Sequence, residues 1–251
     1  GTDGDTFAYS SEPGSPQADL DNVAVGTYDG GAHRARTYLH FDFPGTMNGQ
    51  RLSSVKLQLF MSYQGTGDGT CVARNYWVFP VTAAWTVAGL TWNNQPTYDT
   101  TRPLGADPPS SSVACGNSAK DRTKGVWSWP SLDTGVMQQW ASGGSGIHGL
   151  AVVADEVDKY GWKRFSSANP NNICKHAYFG DIQCDPFLEV NYYDNVAPQV
   201  DARDPANNAS VATLTPEFAA RGSDPDAWPN QGIDHRYQIF NDQGSPVADS
   251  G

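Results

Sequence analysis

Two stretches in which side-chain character alternates residue by residue decide the fold class: Arg34-Ala-Arg-Thr-Tyr-Leu-His-Phe-Asp-Phe43 and Ser54-Val-Lys-Leu-Gln-Leu-Phe-Met-Ser-Tyr63. Successive side chains of a β-strand point to opposite sides, so a period of two predicts strands that each bury one side. The side predicted to face the core carries Ala35, Thr37, Leu39, Phe41 and Phe43 in the first strand and Val55, Leu57, Leu59, Met61 and Tyr63 in the second.

The opposite sides of these strands carry a mainly polar and basic set: Arg34, Arg36, Tyr38 and His40 on the first, Lys56 and Gln58 on the second. If the two strands are neighbours, this set forms a locally basic face that includes an aromatic ring. Arginine binds carboxylates through paired hydrogen bonds, so such a face suits an acidic polysaccharide. The alternative is that Arg36 pairs with Asp42 or another acid in an ordinary cross-strand ladder.

Shorter strand candidates occur on both sides of these stretches, separated by turns rich in Gly, Pro and Asn. They are Asp5–Tyr9, Asn22–Gly26, Tyr76–Val81, Leu90–Trp92, Val126–Trp129, Gly149–Ala154, Trp162–Ser166 and Phe187–Tyr193. Helices do not alternate with them, so the pattern predicts an all-β fold, an antiparallel β-sandwich of the jelly-roll type.

One short helix is predicted after Asp133, whose side chain can cap a helix N-terminus. Val136, Met137 and Trp140 then lie on one face, and Gly143 with Gly144 ends the helix. About two turns are too short to be stable alone, so we expect this helix to lie across an open end of the sandwich.

The pattern of residues changes near residue 194. We therefore divide the chain into a sandwich over residues 1–194 and a second module over residues 195–251. Short strand-like runs follow at Val211–Leu214, Pro216–Ala220 and His235–Phe240. An immunoglobulin-type sandwich needs about 100 residues, so the second module is expected to be partial unless a partner chain completes it. Polar residues follow Gly1 at once, so we expect the chain to be processed or cut from a larger polypeptide.

Composition excludes several classes of protein. The 16 Lys+Arg against 27 Asp+Glu give a net charge of −11, which argues against nucleic acid as a partner. No apolar run approaches about 18 residues, so no membrane insertion is expected. Charged residues make up 17% and aromatic residues 12% of the chain, unlike the composition of disordered proteins.

Four cysteines, Cys71, Cys115, Cys174 and Cys184, have none of the close spacings of zinc sites. An even count in a turn-rich chain favours two disulfides in an oxidising compartment, hence an extracellular protein. Three connectivities exist, of which we favour Cys71–Cys115 and Cys174–Cys184 because each flanks a loop-like stretch. Four buried free thiols are the alternative.

No constellation of catalytic residues stands out. Gly144-Ser-Gly-Ile-His-Gly149 matches a dinucleotide-binding pattern, but a helix precedes and a strand follows, so it is interpreted as a turn. The five histidines share no motif with a serine or cysteine nucleophile. Asp155, Glu156 and Asp158 are interpreted as a solvated loop rather than as the paired carboxylates of a glycosidase.

Structural calcium is the one ion expected, because sandwich loops rich in oxygen ligands can hold it. The candidate ligands are Asp3 and Asp5, then Asp19, Asp21 and Asn22, and in the second module Asp224 and Asp226. The alternative for each cluster is a polar turn. No other cofactor is expected.

The order of landmarks resembles the DNRLRE-type domain, which is related to carbohydrate-binding modules of family 96. The resemblance spans residues ~5–193 and rests on a series of short blocks: Asp5-Thr-Phe7, Val23-Ala-Val-Gly26, Arg36-Thr-Tyr-Leu-His-Phe-Asp42, Leu52-Ser-Ser-Val-Lys-Leu-Gln-Leu59, Trp85, Leu90-Thr-Trp-Asn-Asn-Gln-Pro96, Leu132-Asp133, Trp140-Ala-Ser-Gly143, Gly149-Leu-Ala-Val152, Phe165-Ser-Ser167 and Pro186-Phe-Leu-Glu-Val-Asn-Tyr192. Asn195-Val-Ala-Pro198, Thr215-Pro216 and Ser223-Asp-Pro-Asp226 are similar to an Ig-like or fibronectin-like module that often follows such domains.

The resemblance implies a non-catalytic module of a large secreted or cell-surface bacterial polypeptide. Such a module serves attachment or presentation, and its expected ligand is a polysaccharide. If the ligand binds at the basic face described above, we expect an acidic polysaccharide. The alternative is a structural spacer in a wall-associated or Rhs/YD-repeat toxin-like protein, and a polysaccharide lyase or hydrolase is a remote third option. The Thr97–Gly125 insertion and the cysteine pairs depart from the family pattern, so no binding residue is carried over.

Overall fold

A computed structural model describes residues 4–43, 50–65, 72, 74–107, 125–144, 146–169, 173–176, 179–193, 196–224 and 233–250. The chain forms two compact units. The first comprises Gly1–Asn48 and Leu52–Asn191, and the second comprises Gly49–Arg51 and Tyr192–Gly251. The assignment of the second unit as Ig-like stays a prediction.

The first unit contains thirteen described strands and one α-helix. The strands are β1 (Gly4–Tyr9), β2 (Asn22–Thr27), β3 (Arg34–His40), β4 (Leu52–Gln64), β5 (Tyr76–Pro80), β6 (Gly105–Asp107), β7 (Val126–Ser128), β8 (Ser131–Leu132), β9 (Leu150–Ala154), β10 (Lys163–Ser166), β11 (Ile173–His176), β12 (Gly180–Gln183) and β13 (Phe187–Tyr192). The helix α1 spans Thr134–Ala141.

Eleven of these strands form one large antiparallel sheet in the order β13-β4-β10-β2-β3-β9-β5-β6. β1 pairs with β3, and β7 and β8 both pair with the long strand β4. The nearly closed sheet packs on itself, which confirms the predicted all-β, sandwich-like fold. β11 and β12 form a separate hairpin.

The core lies between the inward faces of this sheet, where the alternating pattern predicted it. Leu39 of β3, Leu57 and Leu59 of β4 and Phe165 of β10 are completely buried in one apolar cluster. At about 25 cal/mol per Å² of apolar surface, side chains of this size contribute about 1.5–3 kcal/mol each. Burial of one side of each strand therefore fixes the register of the sheet.

The helix α1 begins and ends as predicted. The Asp133 side chain accepts a hydrogen bond from the Val136 backbone N–H at 3.0 Å, and Gly143 adopts a positive φ of +74° after the last turn. Val136 and Met137 are buried, whereas Trp140 is half-buried against Phe43. The Gln138 side chain accepts a hydrogen bond from the Leu52 backbone N–H at 2.7 Å, which ties α1 to β4.

A second apolar layer covers the other side of β3. It contains Tyr38, Val81, Leu90 and Ala151, with Trp85 and other half-buried aromatic side chains around them. The predicted strand Leu90–Trp92 is wrong: Trp92–Asn94 form a 3-10 turn, because the Asn94 side chain accepts hydrogen bonds from the Thr91 N–H and hydroxyl. The Leu90–Pro96 block thus belongs to a covering loop.

The second unit contains four described strands in two separate hairpins. β14 (Gln199–Asp204) pairs with β15 (Ala219–Ser223), and β16 (Gln238–Phe240) pairs with β17 (Pro246–Asp249). The predicted strand Val211–Leu214 is irregular, and β14 and β17 were not predicted. None of the residues described in this unit is buried.

No helix among the described residues is long and apolar enough to cross a membrane.

Candidate functional site

A cleft of about 570 Å³ opens on the first unit beside β1, β2 and β10. We call it the aromatic cleft. Its lining residues are Phe7, Tyr9, Glu12, Gln17, Asp19, Leu20, Asp21, Asn22, Ala24, Tyr28, Trp162 and Arg164. Its volume is within the usual range for small-ligand sites, which combine apolar walls with a few polar groups.

Aromatic rings form the base of the cleft. Tyr28 meets the edge of Trp162 with ring centroids 5.1 Å apart, and Tyr9 lies 6.4 Å from Trp162. The Tyr9 and Tyr28 hydroxyls are hydrogen-bonded to each other at 3.1 Å. This hydrogen bond, with desolvation, raises the pKa of Tyr28 to about 12, so its hydroxyl stays protonated and neutral at physiological pH. Trp162 is buried, whereas the two tyrosines are half-buried and accessible from the cleft.

The turn after β2 holds Tyr28 in place. The Thr27 hydroxyl donates to the Asp29 carboxylate at 2.9 Å, and Asp29 also accepts from the His33 backbone N–H at 2.9 Å. The His33 ring stacks on Tyr28 with centroids 5.5 Å apart and planes 9° apart. Although desolvation opposes the change, the hydrogen bonds from His33 lower the pKa of Asp29. The ring therefore has a fixed orientation before any ligand arrives.

The rim of the cleft is the loop of residues 10–21 between β1 and β2, which we call the rim loop. The Ser167 hydroxyl donates to the Leu20 carbonyl at 2.6 Å, and the Asn169 amide donates to the Ala18 carbonyl at 2.5 Å. Within the loop, the Gln17 amide donates to the Glu12 carboxylate at 3.0 Å. These bonds orient the rim loop on the sheet.

Charged side chains surround the opening. Glu12, Asp19 and Asp21 of the rim loop are exposed, and so is Arg164 of β10. The Arg164 guanidinium lies over the Trp162 ring at 5.6 Å and 6.0 Å from the Tyr63 ring. The arrangement offers aromatic rings, two tyrosine hydroxyls, carboxylate acceptors and one guanidinium donor to a ligand.

The predicted basic face is divided between two places. β3 and β4 are not neighbours, because β2 and β10 lie between them in the sheet. The predicted face required β3 and β4 to be adjacent, so it does not form as one continuous surface. Its predicted members were Arg34, Arg36, Tyr38, His40, Lys56 and Gln58. Alternation gives the side of each strand but not which strands are adjacent.

The β3 arginines are paired with an acid, as the alternative interpretation expected. Arg36 binds both carboxylate oxygens of Glu156, at 2.5 and 2.8 Å, and Arg34 lies 3.9 Å from the same group. This hydrogen bonding raises the pKa of Arg36. Both guanidinium groups also lie over the Trp92 ring, at 5.1 Å for Arg34 and 4.9 Å for Arg36. The partner acid is Glu156 rather than Asp42.

Two members of the predicted face are buried, and their predicted exposure is wrong. The Leu90–Pro96 block covers Tyr38, whose hydroxyl donates to the Gln95 side chain at 2.9 Å and whose pKa is raised by burial. Gln58 is buried and donates to Glu189 of β13, the strand next to β4, at 2.7 Å. Half-buried Lys56 lies 3.9 Å from Glu189, and half-buried His40 contacts the edge of Trp85.

The calcium candidates lie in different surroundings. Asp3 and Asp226 fall outside the described residues. Asp5 is buried and accepts a hydrogen bond from the Ala168 N–H at 2.9 Å, whereas Asp19 and Asp21 lie on the cleft rim. Within the described ranges, no three His, Cys, Asp or Glu side chains form a group that could hold a metal ion. Structural calcium stays a prediction.

Burial dominates the electrostatics of Asp5. Desolvation raises its pKa from 3.8 to about 7, although the hydrogen bond from Ala168 lowers it, and the charge of Asp185 raises it further. The Asp5 Oδ1 and Asp185 Oδ1 atoms are both buried without a hydrogen-bond partner. Neither residue lines the aromatic cleft.

The acidic loop after β9 has a structural role, with Asp155 exposed and Glu156 and Asp158 half-buried. Asp155 accepts hydrogen bonds from the Val157 and Asp158 N–H groups at 2.8 and 2.7 Å. Asp158 accepts from Tyr160 N–H and binds Arg74, which lower its pKa. Gly146–Gly149 follow helix α1 and lead directly into β9, which is the order of elements that the turn interpretation expected, and Ser145 lies outside the described residues.

The Cys174–Cys184 disulfide is present and joins β11 to the segment after β12, which confirms that pairing. Cys71 and Cys115 lie outside the described residues. Beside the disulfide, Trp127 donates to the Lys175 carbonyl at 2.8 Å and contacts Phe60, His176 and Phe187. Trp127 thus packs against a small separate apolar cluster of Phe60 and the disulfide.

Sequence reasoning missed Tyr9, Tyr28 and Arg164 as site residues. The signal available was positional: Tyr9 ends β1 and Tyr28 directly follows β2, next to an acidic loop. Aromatic residues at strand ends beside polar loops occur at the edge of a core, where one side of the ring stays accessible. Only the pairing of β2 with β10 brings Arg164 to them.

Comparison with known proteins agrees with this picture. The family model of carbohydrate-binding module family 96 matches residues 2–112. That range includes the rim loop, Tyr9 and Tyr28, whereas Trp162 and Arg164 lie beyond it. No curated protein sequence matches the chain. The family match over residues 2–112 confirms the resemblance of this part of the chain to a DNRLRE-type domain related to carbohydrate-binding module family 96.

Proposed function

We propose that the first unit binds a carbohydrate in the aromatic cleft and thereby attaches or presents a larger extracellular polypeptide. The observation that carries the proposal is the cleft itself, an aromatic base under a polar rim. The family match over residues 2–112, which include most of the lining, supports the same ligand class.

The chemistry of the cleft suits a sugar ring. The C–H face of a pyranose is apolar and packs on an aromatic ring, while its hydroxyls need hydrogen-bond partners at the edge. Tyr9 and Tyr28 supply both, since each ring carries a hydroxyl at its edge and the two hydroxyls are hydrogen-bonded to each other. Glu12, Asp19 and Asp21 add acceptors around the ring.

We propose that this binding is non-catalytic. A glycosidase needs a carboxylic acid of raised pKa next to a second carboxylate in its cleft. Among the described carboxyl groups, burial raises the pKa of Asp5, Asp107 and Asp185, and none of these lines the aromatic cleft. The carboxylates that do line it are exposed rim groups.

An extracellular location is part of the proposal. The Cys174–Cys184 disulfide supports it, because disulfides persist in oxidising compartments and are rare in the cytosol.

The test is a binding measurement with Tyr28→Ala as the main variant. Isothermal titration or affinity electrophoresis against a panel of polysaccharides should show binding by the parent protein. Losing the ring should weaken that binding by up to about tenfold, since an aromatic contact contributes about 0.5–1.5 kcal/mol beyond the area it buries. Tyr28→Phe keeps the ring and should lose less.

The matched control is Tyr192→Ala, which removes an exposed tyrosine outside the cleft lining. It should bind like the parent protein. Equal weakening by Tyr28→Ala and Tyr192→Ala, or no binding by the parent to any member of the panel, overturns the assignment of the cleft.

A further inference from the structure

Tyr28 lines the aromatic cleft from a turn rather than from a strand. It directly follows β2 and is the first residue of the irregular segment 28–33, which leads into β3. Its side chain is half-buried and accessible from the cleft. Because the hydrogen-bond ladder of the sheet ends before Tyr28, side-chain contacts must set the orientation of its ring.

The turn brings His33 back over the Tyr28 ring. Gly30 and Gly31 have positive φ values of +79° and +105°, a conformation that glycine adopts without steric cost. The His33 and Tyr28 rings are stacked, with centroids 5.5 Å apart and planes 9° apart. His33 does not line the cleft, so it contacts Tyr28 from outside the space that a ligand would occupy.

Asp29 holds the His33 ring in place. Its carboxylate is hydrogen-bonded to His33 Nδ1 and accepts a second hydrogen bond from the His33 backbone N–H at 2.9 Å. The same carboxylate accepts from the hydroxyl of Thr27, a completely buried residue at the end of β2. A continuous series of contacts therefore runs from the sheet through Asp29 and His33 to Tyr28.

We infer that His33 is a positioning residue for glycan binding and acts on ligand affinity through the Tyr28 ring. The inference rests on the proposed function, since it concerns the same cleft. A ring that is already held in its binding orientation loses less conformational entropy when a ligand arrives. Without the stacked His33 ring, the Tyr28 side chain gains rotamer freedom that ligand binding must remove.

A positive charge on His33 strengthens both of its contacts. Although desolvation opposes the change, hydrogen bonds from His33 lower the pKa of Asp29, which stays ionised at neutral pH. A protonated imidazole forms a charge-assisted hydrogen bond with this carboxylate and a cation–π contact with the Tyr28 ring. Tyr9 of β1 and Arg164 of β10 also face these rings, but histidine is the side-chain type that changes charge between pH 5 and 8.

The experiment titrates oligosaccharides into the whole chain by calorimetry. The probes are gluco-, xylo- and galacturono-oligosaccharides of matched length, and the one that the parent protein binds tightest is used for every variant. His33→Ala removes the stacked ring, whereas His33→Phe keeps a ring on Tyr28 that can neither bind Asp29 nor carry charge. His33→Ala is also combined with Tyr28→Ala.

The matched control is His235→Ala in the second unit. His235 is exposed, its ring centroid lies 6.5 Å from that of Tyr237, and it does not line the aromatic cleft. This variant should bind like the parent protein. Melting temperatures show that each variant is folded.

We expect His33→Ala to weaken binding about threefold at pH 6 and His33→Phe to recover part of that loss. In the Tyr28→Ala background, His33→Ala should have no further effect, because the ring through which it acts is missing. Between pH 5 and 8, the affinity of the parent protein should fall about twofold more than that of His33→Phe, which keeps every other titrating group.

The failures are distinguishable. Equal affinities of His33→Ala and the parent protein overturn the role of His33 and leave carbohydrate binding in place. An undiminished effect of His33→Ala in the Tyr28→Ala background also overturns it, because His33 would then act independently of the Tyr28 ring. Parallel pH profiles of the parent protein and His33→Phe overturn the contribution of its charge. No binding of any of the three probes overturns both this inference and the proposed function.

Discussion

The first and second units of this chain differ in how they bury side chains. In the first unit, Leu39, Leu59 and Phe165 are completely buried, and both sides of β3 are covered. In the second unit, β14 to β17 form two isolated hairpins, and none of its described residues is buried. Two-stranded hairpins are marginally stable in water, so the comparison locates the stability of the molecule in the first unit.

The two units also differ in how firmly they can hold the side chains of a ligand-binding site. The aromatic cleft depends on side chains from β1, β2 and β10 that a packed sheet holds in fixed positions. A preorganised site loses less conformational entropy on binding. The first unit therefore has the rigidity that a binding site needs.

Core truncations should show the largest contrast. Leu59→Ala removes a side chain with no exposed surface and should lower the free energy of unfolding of the first unit by about 2–5 kcal/mol. Leu214→Ala in the second unit changes a fully exposed side chain and should change the free energy of unfolding by less than about 0.5 kcal/mol. Urea unfolding measures both. Comparable losses would contradict the comparison.

The second contrast is in pH dependence. Because the pKa of Asp5 is raised from 3.8 to about 7, the folded state binds this proton more tightly than the unfolded chain. This contribution to stability is complete below pH ~4 and is lost as pH rises to ~7, by at most about 4 kcal/mol. Asp5→Asn keeps an acceptor for the Ala168 N–H and removes the charge.

Melting temperatures between pH 4 and 8 test this. The parent protein should lose stability across that interval, and Asp5→Asn should lose less and be the more stable protein at pH 8. A parallel pH profile for the two proteins would show that Asp5 is not the group that titrates.

A smaller effect is expected from the disulfide, which the first unit has in addition to its core. Cys174 and Cys184 are 10 residues apart. In the chain-entropy model, removing a cross-link that closes a loop of that length lowers the free energy of unfolding by about 3 kcal/mol. The double variant Cys174→Ala, Cys184→Ala should therefore unfold at lower denaturant concentration. Hydrogen exchange should speed up first in β11 and β12, and uniform acceleration over the first unit would contradict a local role.

The smallest contrast compares two ion pairs. Glu156→Gln leaves the half-buried Arg36 guanidinium without its charged partner and should cost about 1–3 kcal/mol. Asp249→Asn breaks the exposed pair with Arg236 in the second unit and should leave unfolding unchanged within error. Urea unfolding of both variants checks this. Equal effects would mean that burial does not determine how much these ion pairs contribute to the free energy of unfolding.

Sequence periodicity predicted the elements of the first unit well because burial on one side leaves a direct imprint on residue order. Leu57, Leu59 and Met61 face the core as their spacing requires. It failed for Tyr38 and Gln58, because the opposite side was assumed to face solvent. Both are buried, and their hydrogen-bond partners in the covering loop and in β13 are 57 and 131 positions away.

The candidate site was less predictable than the fold. Tyr9 and Tyr28 belong to consecutive strands, but Trp162 and Arg164 reach them only through the pairing of β10 with β2. The sequence also left open which acid pairs with Arg36, since Glu156 is 120 residues away. Pairing between distant strands is not encoded in a local pattern.

The sequence by itself determined the all-β class, the capped helix and the local Cys174–Cys184 pairing. Each of these follows from residues close together in the chain, where periodicity, capping and loop length act directly. Only the tertiary structure decided which strands are neighbours, and so where charge accumulates. The basic residues of β3 and β4 are separated and paired, while the rim loop, β2 and β10 form a cleft with an acidic rim. Long-range contacts set the surface, because packing brings distant residues within hydrogen-bond and Coulomb range.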